Sequence, residues 1–405
     1  MGHYLYRRVY VVPSNPRRFG PGIQAVLISN DTDRVHHLGS LYAAYSTQLS
    51  ISPNTYKKRM EHCAAFLTWA HQTSDPRRTR RMLSGDFRIE DMLSFKNWLI
   101  DNRSKRNGGL SNIQVATVNA ISLGAKAFIR WLVLHTKECG ADQLNHRLSL
   151  VDDNWSTHAV LPTRTVRQAK DYEADEISEI ERFFVYQAFR KDDHKARNGV
   201  RNYLIWRLAI EYGLRIGEIL ALRVQDLPSE RKPYLEVVRI EHRNDGADPR
   251  GTNAPKAKTL GRELGQYFQN SRFPELFSIY RSSERWAWAK RKSGRRYQKT
   301  SFSHPYLLIT NSGAPLSMSS AQAIAQSVKS ATSIDFRWHR ARHTFFNRAY
   351  EKMLEIEDPH QRRIRLDGLM YMGGWSSEES LSIYAAAAQR KSARSASYDL
   401  QSQLV

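Results

Sequence analysis

Four short segments in the second half of the chain set chemically capable side chains at helical spacing. Gly213-Leu214-Arg215-Ile216-Gly217-Glu218 places an arginine and a glutamate one turn apart, close enough to pair. His339-Arg340-Ala341-Arg342-His343-Thr344 places His339 and Arg342 one turn apart, so both can face one ligand. Gly373-Gly374-Trp375 follows, and Tyr384 stands nine residues after the tryptophan. Each segment alone has a plainer reading. The first is an amphipathic helix with a surface ion pair. The second arises often by chance in a basic protein, and a tyrosine after an apolar pair usually packs in a core. The chain carries 62 Lys and Arg against 40 Asp and Glu, a formal charge of +22. A ligand for such residues is therefore expected to be a polyanion, with nucleic acid the commonest. Charge alone also leaves room for a ribosomal or anionic-lipid partner.

Taken together, these pieces resemble the catalytic domain of the tyrosine recombinases, the phage-integrase-type family. The likeness rests on G-L-R-I-G-E running into A-L-R-V-Q-D-L, then H-R-A-R-H-T, then G-G-W, then the tyrosine, and it covers residues from about 175 to 390. It implies a site-specific recombinase or integrase that cleaves and rejoins double-stranded DNA through a 3′-phosphotyrosyl intermediate. It further implies a homotetramer on its DNA site, no metal and no nucleotide cofactor, with accessory DNA-bending or directionality proteins as further candidate partners. Tyr384 would be the nucleophile, a phenol with an ordinary pKa near ~10 that needs a base or electrostatic help. Arg215 and Arg342 would clamp the non-bridging oxygens with planar charged forks. His339 would assist proton transfer and hold the phosphate. Trp375 stands where many relatives have histidine; its indole N–H donates one hydrogen bond and shuttles no proton. Glu218 matches the acidic position that orients the site. Lys258, in Lys258-Thr259-Leu260-Gly261-Arg262, matches the lysine that protonates the leaving 5′-oxygen, with Lys256 the alternative on the same strand face. The interval from His339 to Trp375 is longer than in typical relatives, with the extra length expected in Glu355 to Leu366.

The elements that must carry these residues follow from periodicity. Tyr4 to Val12 reads as a strand, and residues 1–40 as an N-terminal arm or small appendage broken by Pro13, Pro16, Gly20, Pro21 and Gly22. Residues 41–150 read as a helical domain, which by placement and character resembles the family's core-binding (DNA-binding) domain. Ser52-Pro53 opens a helix with Tyr56, Met60, Cys63 and Leu67 on one stripe. A second helix is expected over Ile89 to Ile100. A third is expected from Ser111 to His135, apolar on one face except at Ser122. Residues 151–172, without periodicity, are expected to be a linker, 173–390 the catalytic domain, and 391–405 a C-terminal tail. Strands are expected over Tyr234 to Ile240, Lys258 to Leu264 and Tyr306 to Thr310. The fold class is thus mainly α with a small β-sheet: a helical domain plus a mixed α/β catalytic domain, which the resemblance arranges as a C-shaped DNA clamp. Phosphate contacts are expected from a loop with Arg77, Arg78, Arg80 and Arg81 and from another with Arg103, Lys105 and Arg106. A third set is Lys290, Arg291 and Lys292, inside an Arg285 to Lys299 stretch with seven basic and no acidic residues, interleaved with Trp286, Trp288 and Tyr297.

Composition bounds the rest. Two cysteines, Cys63 and Cys139, exclude a disulfide scaffold and a Cys-rich zinc module. No run of 18 apolar residues suggests a spanning helix, and no membrane partner is expected. A cytoplasmic, nucleoid-associated prokaryotic enzyme is the expectation. Two other readings stay open at this level. A type IB topoisomerase shares the Tyr/Arg/Lys logic, and a non-catalytic DNA-binding protein could retain the fold.

Overall fold

The computed structural model describes residues 5–11, 24–49, 53–73, 75–104, 112–135, 140–161, 170–190, 198–229, 232–239, 242–243, 248–251, 254–255, 260–265, 273–285, 287–290, 297–300 and 304–403. The chain divides into two compact units, Met1–Val166 and Arg167–Val405. Helices dominate both, and the strands form three separate two-stranded antiparallel pairs.

In the first unit, β1 (Tyr6–Val11) pairs with β2 (Gln24–Ser29). Helices α1 (His37–Thr47), α2 (Pro53–Gln72), α3 (Pro76–Leu83), α4 (Ile89–Ser104), α5 (Asn112–His135) and α6 (Ala141–His158) follow. The expected stripe of α2 is the core face: Tyr56, Met60, Cys63 and Leu67 are all buried. Helix α5 is long and apolar enough to cross a membrane, yet its Val118, Ala125, Phe128 and Ile129 lie in this core. Its one polar lapse has a purpose. Ser122 Oγ donates to the Ala159 carbonyl at 2.6 Å, and Asn119 exchanges two bonds with the Leu161 backbone, tying α5 to the end of α6.

Three expectations need correction here. The arm does not stand apart: Leu27 is fully buried in the helical core and Leu5 N–H donates to Thr68 Oγ1, so β1 and β2 belong to the unit. The linker expected over 151–172 is helical as far as His158, with Val151 and Trp155 buried. Only a few apolar residues of α6 face inward, which leaves little periodicity to read. The basic segment at 77–81 is helix α3 rather than a loop, capped by the Asp75 carboxylate on Arg77 N–H.

The second unit is built around α8 (Gly199–Tyr212), buried on nearly all sides as a central helix must be. It packs on α7 (Ala174–Phe189), whose first turn holds the expected Asp175 and Glu176. After α9 (Ile216–Ala221), β3 (Leu235–Val237) pairs with β4 (Arg262–Leu264). Then come α10 (Phe273–Ile279), a single π-helical turn (Tyr280–Glu284), and a ribbon of β5 (Ala287–Lys290) with β6 (Tyr297–Thr300). Tyr306 to Thr310 is not a full strand; isolated bridges to Arg223 and Pro315 hold it. Helices α11 (Met318–Thr332), α12 (Trp338–Leu354), α13 (Pro359–Gly373) and α14 (Glu379–Gln403) complete the unit. Much of the extra length expected at 355–366 is the first half of α13, capped by Asp358. The expected tail at 391–405 continues α14 as far as Gln403 and is exposed over residues 391–401.

His36 caps α1 by accepting Gly39 N–H on Nδ1 at 3.1 Å. Burial, with the His71 and His37 charges, holds its pKa down to about 4. Burial and Lys58 do the same to His62. Both bind a proton more readily when unfolded, so their contribution is full above about pH 6.5 and is lost as pH falls toward 4. Thermal unfolding followed between pH 7.5 and 5 should show a falling midpoint, and His36→Asn, which keeps a cap, should flatten the dependence. A midpoint independent of pH in the wild type would contradict this.

Candidate active site

The site begins where α8 ends. Gly213 adopts φ 61°, and a Cβ there would come within 2.5 Å of the Phe345 ring, so glycine alone turns the chain this closely. Two residues later Arg215 caps α9, and its N–H donates to Glu218 Oε2 at 2.9 Å. The Arg215 guanidinium reaches Glu218 Oε1 at 3.4 Å, the pairing the spacing suggested. From the other side, Arg262 at the start of β4 donates to both Glu218 oxygens, at 3.2 and 2.9 Å, with its side chain wholly buried. One buried carboxylate thus holds two guanidinium groups.

The third comes from α12. Arg342, 1% exposed, donates from Nη1 to the Gly213 carbonyl and from Nη2 to the Gly373 carbonyl at 2.9 Å. The same Gly373 carbonyl accepts from Arg215 Nη1 at 3.2 Å, and the neighbouring Met372 carbonyl accepts from Arg262 Nε at 2.8 Å. These oxygens close α13, where the helix leaves carbonyls unpaired and its dipole is negative. Gly374 ends that helix at φ 61°. A Cβ on Gly373 would meet the Trp375 ring at 2.4 Å, so the glycine pair lets the indole fold back.

Trp375 then lies against Phe346 and Tyr384, with ring centroids 4.6 and 5.3 Å away, and under the Arg342 guanidinium. Tyr384, on α14, is 3% exposed. Burial raises its hydroxyl above the ordinary phenol value, while Arg342 and Arg215 pull it back. Burial and the Arg215 charge press Arg342 down to about 9, still charged at neutral pH, with Glu218 opposing the shift. Burial, then Arg342 and Arg215, keeps His339 below its usual value, favouring the neutral ring. Three guanidinium charges against the single Glu218 carboxylate leave two positive charges. That surplus suits a phosphodiester and the extra negative charge of its displacement transition state.

The structure therefore gathers Arg215, Glu218, His339, Arg342, Trp375 and Tyr384 in one unit. Lys258 and Lys256 lie outside the described residues, as do Lys105, Arg106, Arg291 and Lys292; Lys290 is placed by its backbone alone, at the end of β5. Of the other basic candidates, Arg77 and Arg80 are exposed on α3. Arg78 and Arg81 bind the buried Asp91 carboxylate at 2.8 and 2.7 Å and so help hold α3 on α4. Two residues were missed as site members. Arg262 was visible only as the last letter of the lysine motif, and His343 as a neighbour of Arg342. His343 packs on His339 and Tyr384 at 4.2 and 5.6 Å between centroids.

Among solved structures, the chain is similar to the Tn1549 transposon integrase in complex with circular intermediate DNA: 17% identity, 87% of this chain and 98% of that one, TM-score 0.52. It is likewise similar to the same integrase in complex with transposon right end DNA, at 16% identity over 88% and 98% of the two chains, TM-score 0.52. This chain has the tyrosine-recombinase fold. No family model matches the sequence, and no curated protein matches it. This fold brings the five separated site segments together within the second unit.

Glu218→Gln keeps the side-chain shape and removes the one negative charge among three guanidinium groups. Breaking such a buried pair should lower folding stability by about 3–5 kcal/mol, measured by urea unfolding. An unchanged transition would mean that Glu218 does not hold the cluster.

Proposed function

We propose that the chain is a site-specific DNA recombinase or integrase that cuts and rejoins duplex DNA through a 3′-phosphotyrosyl intermediate. The observation that carries this reading is the convergence of Arg215, Arg342, His339 and Tyr384 beside the Gly373 carbonyl, a cationic cradle next to a buried phenol. Tyr384 Oη attacks phosphorus, the P–O5′ bond breaks, and the 5′-oxygen takes a proton from Lys258, with Lys256 as the alternative. Arg215 and Arg342 offset charge on the non-bridging oxygens as the pentacoordinate state forms. His339 holds the phosphate. Trp375 positions Arg342 and Tyr384 by packing. The arginines carry the electrostatic work, so the scheme needs neither metal nor ATP, and the phosphotyrosyl bond conserves the energy of the broken diester for religation.

Tyr384 is nearly inaccessible, so attack requires the first turns of α14 to shift and bring the hydroxyl to the phosphate. The similar solved structures are an integrase bound to transposon DNA, which supports duplex DNA at the ends of a mobile element as the partner. On this reading the protein works as a homotetramer on its site in the prokaryotic cytoplasm. Arg77, Arg80 and the basic 285–299 stretch touch backbone phosphates, making binding strongly salt-dependent. A type IB topoisomerase would use the same phosphate chemistry, and site-independent relaxation of plasmid supercoils would favour it.

The test is covalent capture. Wild-type protein incubated with fragmented element-end DNA, without metal or ATP, should yield protein–DNA adducts that survive denaturant. Tyr384→Phe removes one hydroxyl and should abolish the adducts while retaining DNA binding by gel shift. Adducts persisting in that variant would refute the nucleophile and with it the reading.

A further inference from the structure

The nucleophile needs somewhere to put its proton, and burial makes that need larger by raising the Tyr384 pKa. Arg342 and Arg215 cannot accept one. His339 and His343 share a face of α12, one turn apart, but it is His343 that packs on the Tyr384 ring, at 5.6 Å between centroids. Its Nδ1 is buried and has no hydrogen-bond partner, which leaves an acceptor open beside the phenol. We propose that His343 is the catalytic base that takes the Tyr384 hydroxyl proton as the shift of α14 releases the phenol from this packed position toward phosphorus. This rests on the recombinase reading above and assigns a role inside that site.

The electrostatics fit a base that waits for its substrate. The charged and titratable groups facing His343 are His339 and Arg342 from its own helix, Arg215 from the start of α9 and Tyr384 from α14. Burial first, then the His339, Arg342 and Arg215 charges, push the His343 pKa down to about 4, so the ring is neutral and free to accept at neutral pH. A ring so suppressed is a weak base while the site is empty. A bound phosphodiester brings negative charge against Arg215 and Arg342, cancels part of that suppression and raises the basicity of His343 when the target is in place. The step then balances. The proton passes from Tyr384 Oη to His343, the Oη–P bond forms, and P–O5′ breaks with its electron pair taken up by O5′ and the lysine proton. In religation the 5′-hydroxyl returns its proton to the lysine as O5′ attacks, and Tyr384 Oη departs and recovers the proton from His343.

The full chain should be assayed on the nicked duplex that wild type converts to adduct, alongside the same duplex with a 5′-bridging phosphorothiolate, whose thiolate departs without an acid. His343→Gln and His343→Asn should each slow adduct formation by about 100-fold or more at pH 7. The deficit should be the same on both substrates, should shrink as pH rises toward tyrosine ionisation, and should leave DNA binding intact. His339→Gln, acting on the phosphate, should show a deficit that does not shrink with pH. Wild-type rates in both His343 variants would overturn the proposal. So would rescue by the phosphorothiolate, which would move His343 to the leaving-group side, or a loss unchanged with pH and accompanied by a lower melting temperature, which would make its role structural. Adduct formation by Tyr384→Phe would instead remove the recombinase reading itself.

Discussion

Three guanidinium groups in one buried site repel one another unless negative charge sits among them. Here that charge is the Glu218 carboxylate and the two carbonyls that close α13. Four pieces of chain far apart in sequence are fixed by these bonds: the turn from α8 into α9, the start of β4, the first turns of α12 and the end of α13. The arrangement neutralises only part of the charge. What remains is positive, pointed at the tyrosine, and available to an anion. Stability and chemistry therefore rest on the same contacts, and the cluster is held in shape before any substrate arrives, which is how preorganised electrostatic sites lower barriers.

Helix periodicity made the first unit's core legible, because α2 shows a clean stripe and each of its apolar positions is buried. It failed at α6, where Trp155 and Val151 carry most of the packing and the rest of the helix is polar. Ser122 looked like a lapse in α5; its meaning appears only when the Ala159 carbonyl is seen above it. In the site, residues with a spacing rule were readable, Arg215 with Glu218 and His339 with Arg342. Arg262 and His343 were not, since their partners lie 44 residues away in one case and on another helix in the other. No local pattern encodes a contact of that kind.

The net charge of +22 divides between two tasks that composition cannot separate. Arg78 and Arg81 hold α3 on α4 through Asp91, and Arg262 is spent on Glu218 and Met372. Arg262 is wholly enclosed, and Arg78 and Arg81 are half-buried with their guanidinium groups held by Asp91. Arg77 and Arg80, on the same short helix, stay exposed. A count of basic residues thus overstates the surface available for phosphate contacts. Burial of Tyr384 adds a second constraint. The hydroxyl is shielded and burial raises its pKa, and under the proposed function both restrain it until α14 shifts and a phosphate lies beside Arg342.

The central claim is that the guanidinium cluster is a cradle for one phosphate in line with Tyr384. Vanadate adopts the trigonal-bipyramidal shape of a phosphoryl group in transfer, so the most direct measurement is a structure of the chain with cleaved duplex DNA and vanadate. The cradle predicts vanadium bridging the DNA ends, its equatorial oxygens hydrogen-bonded to Arg215 and Arg342, and Tyr384 Oη at one apex. Vanadate bound away from these arginines, or an apex occupied by any other group while Tyr384 stays packed against Trp375, would contradict it.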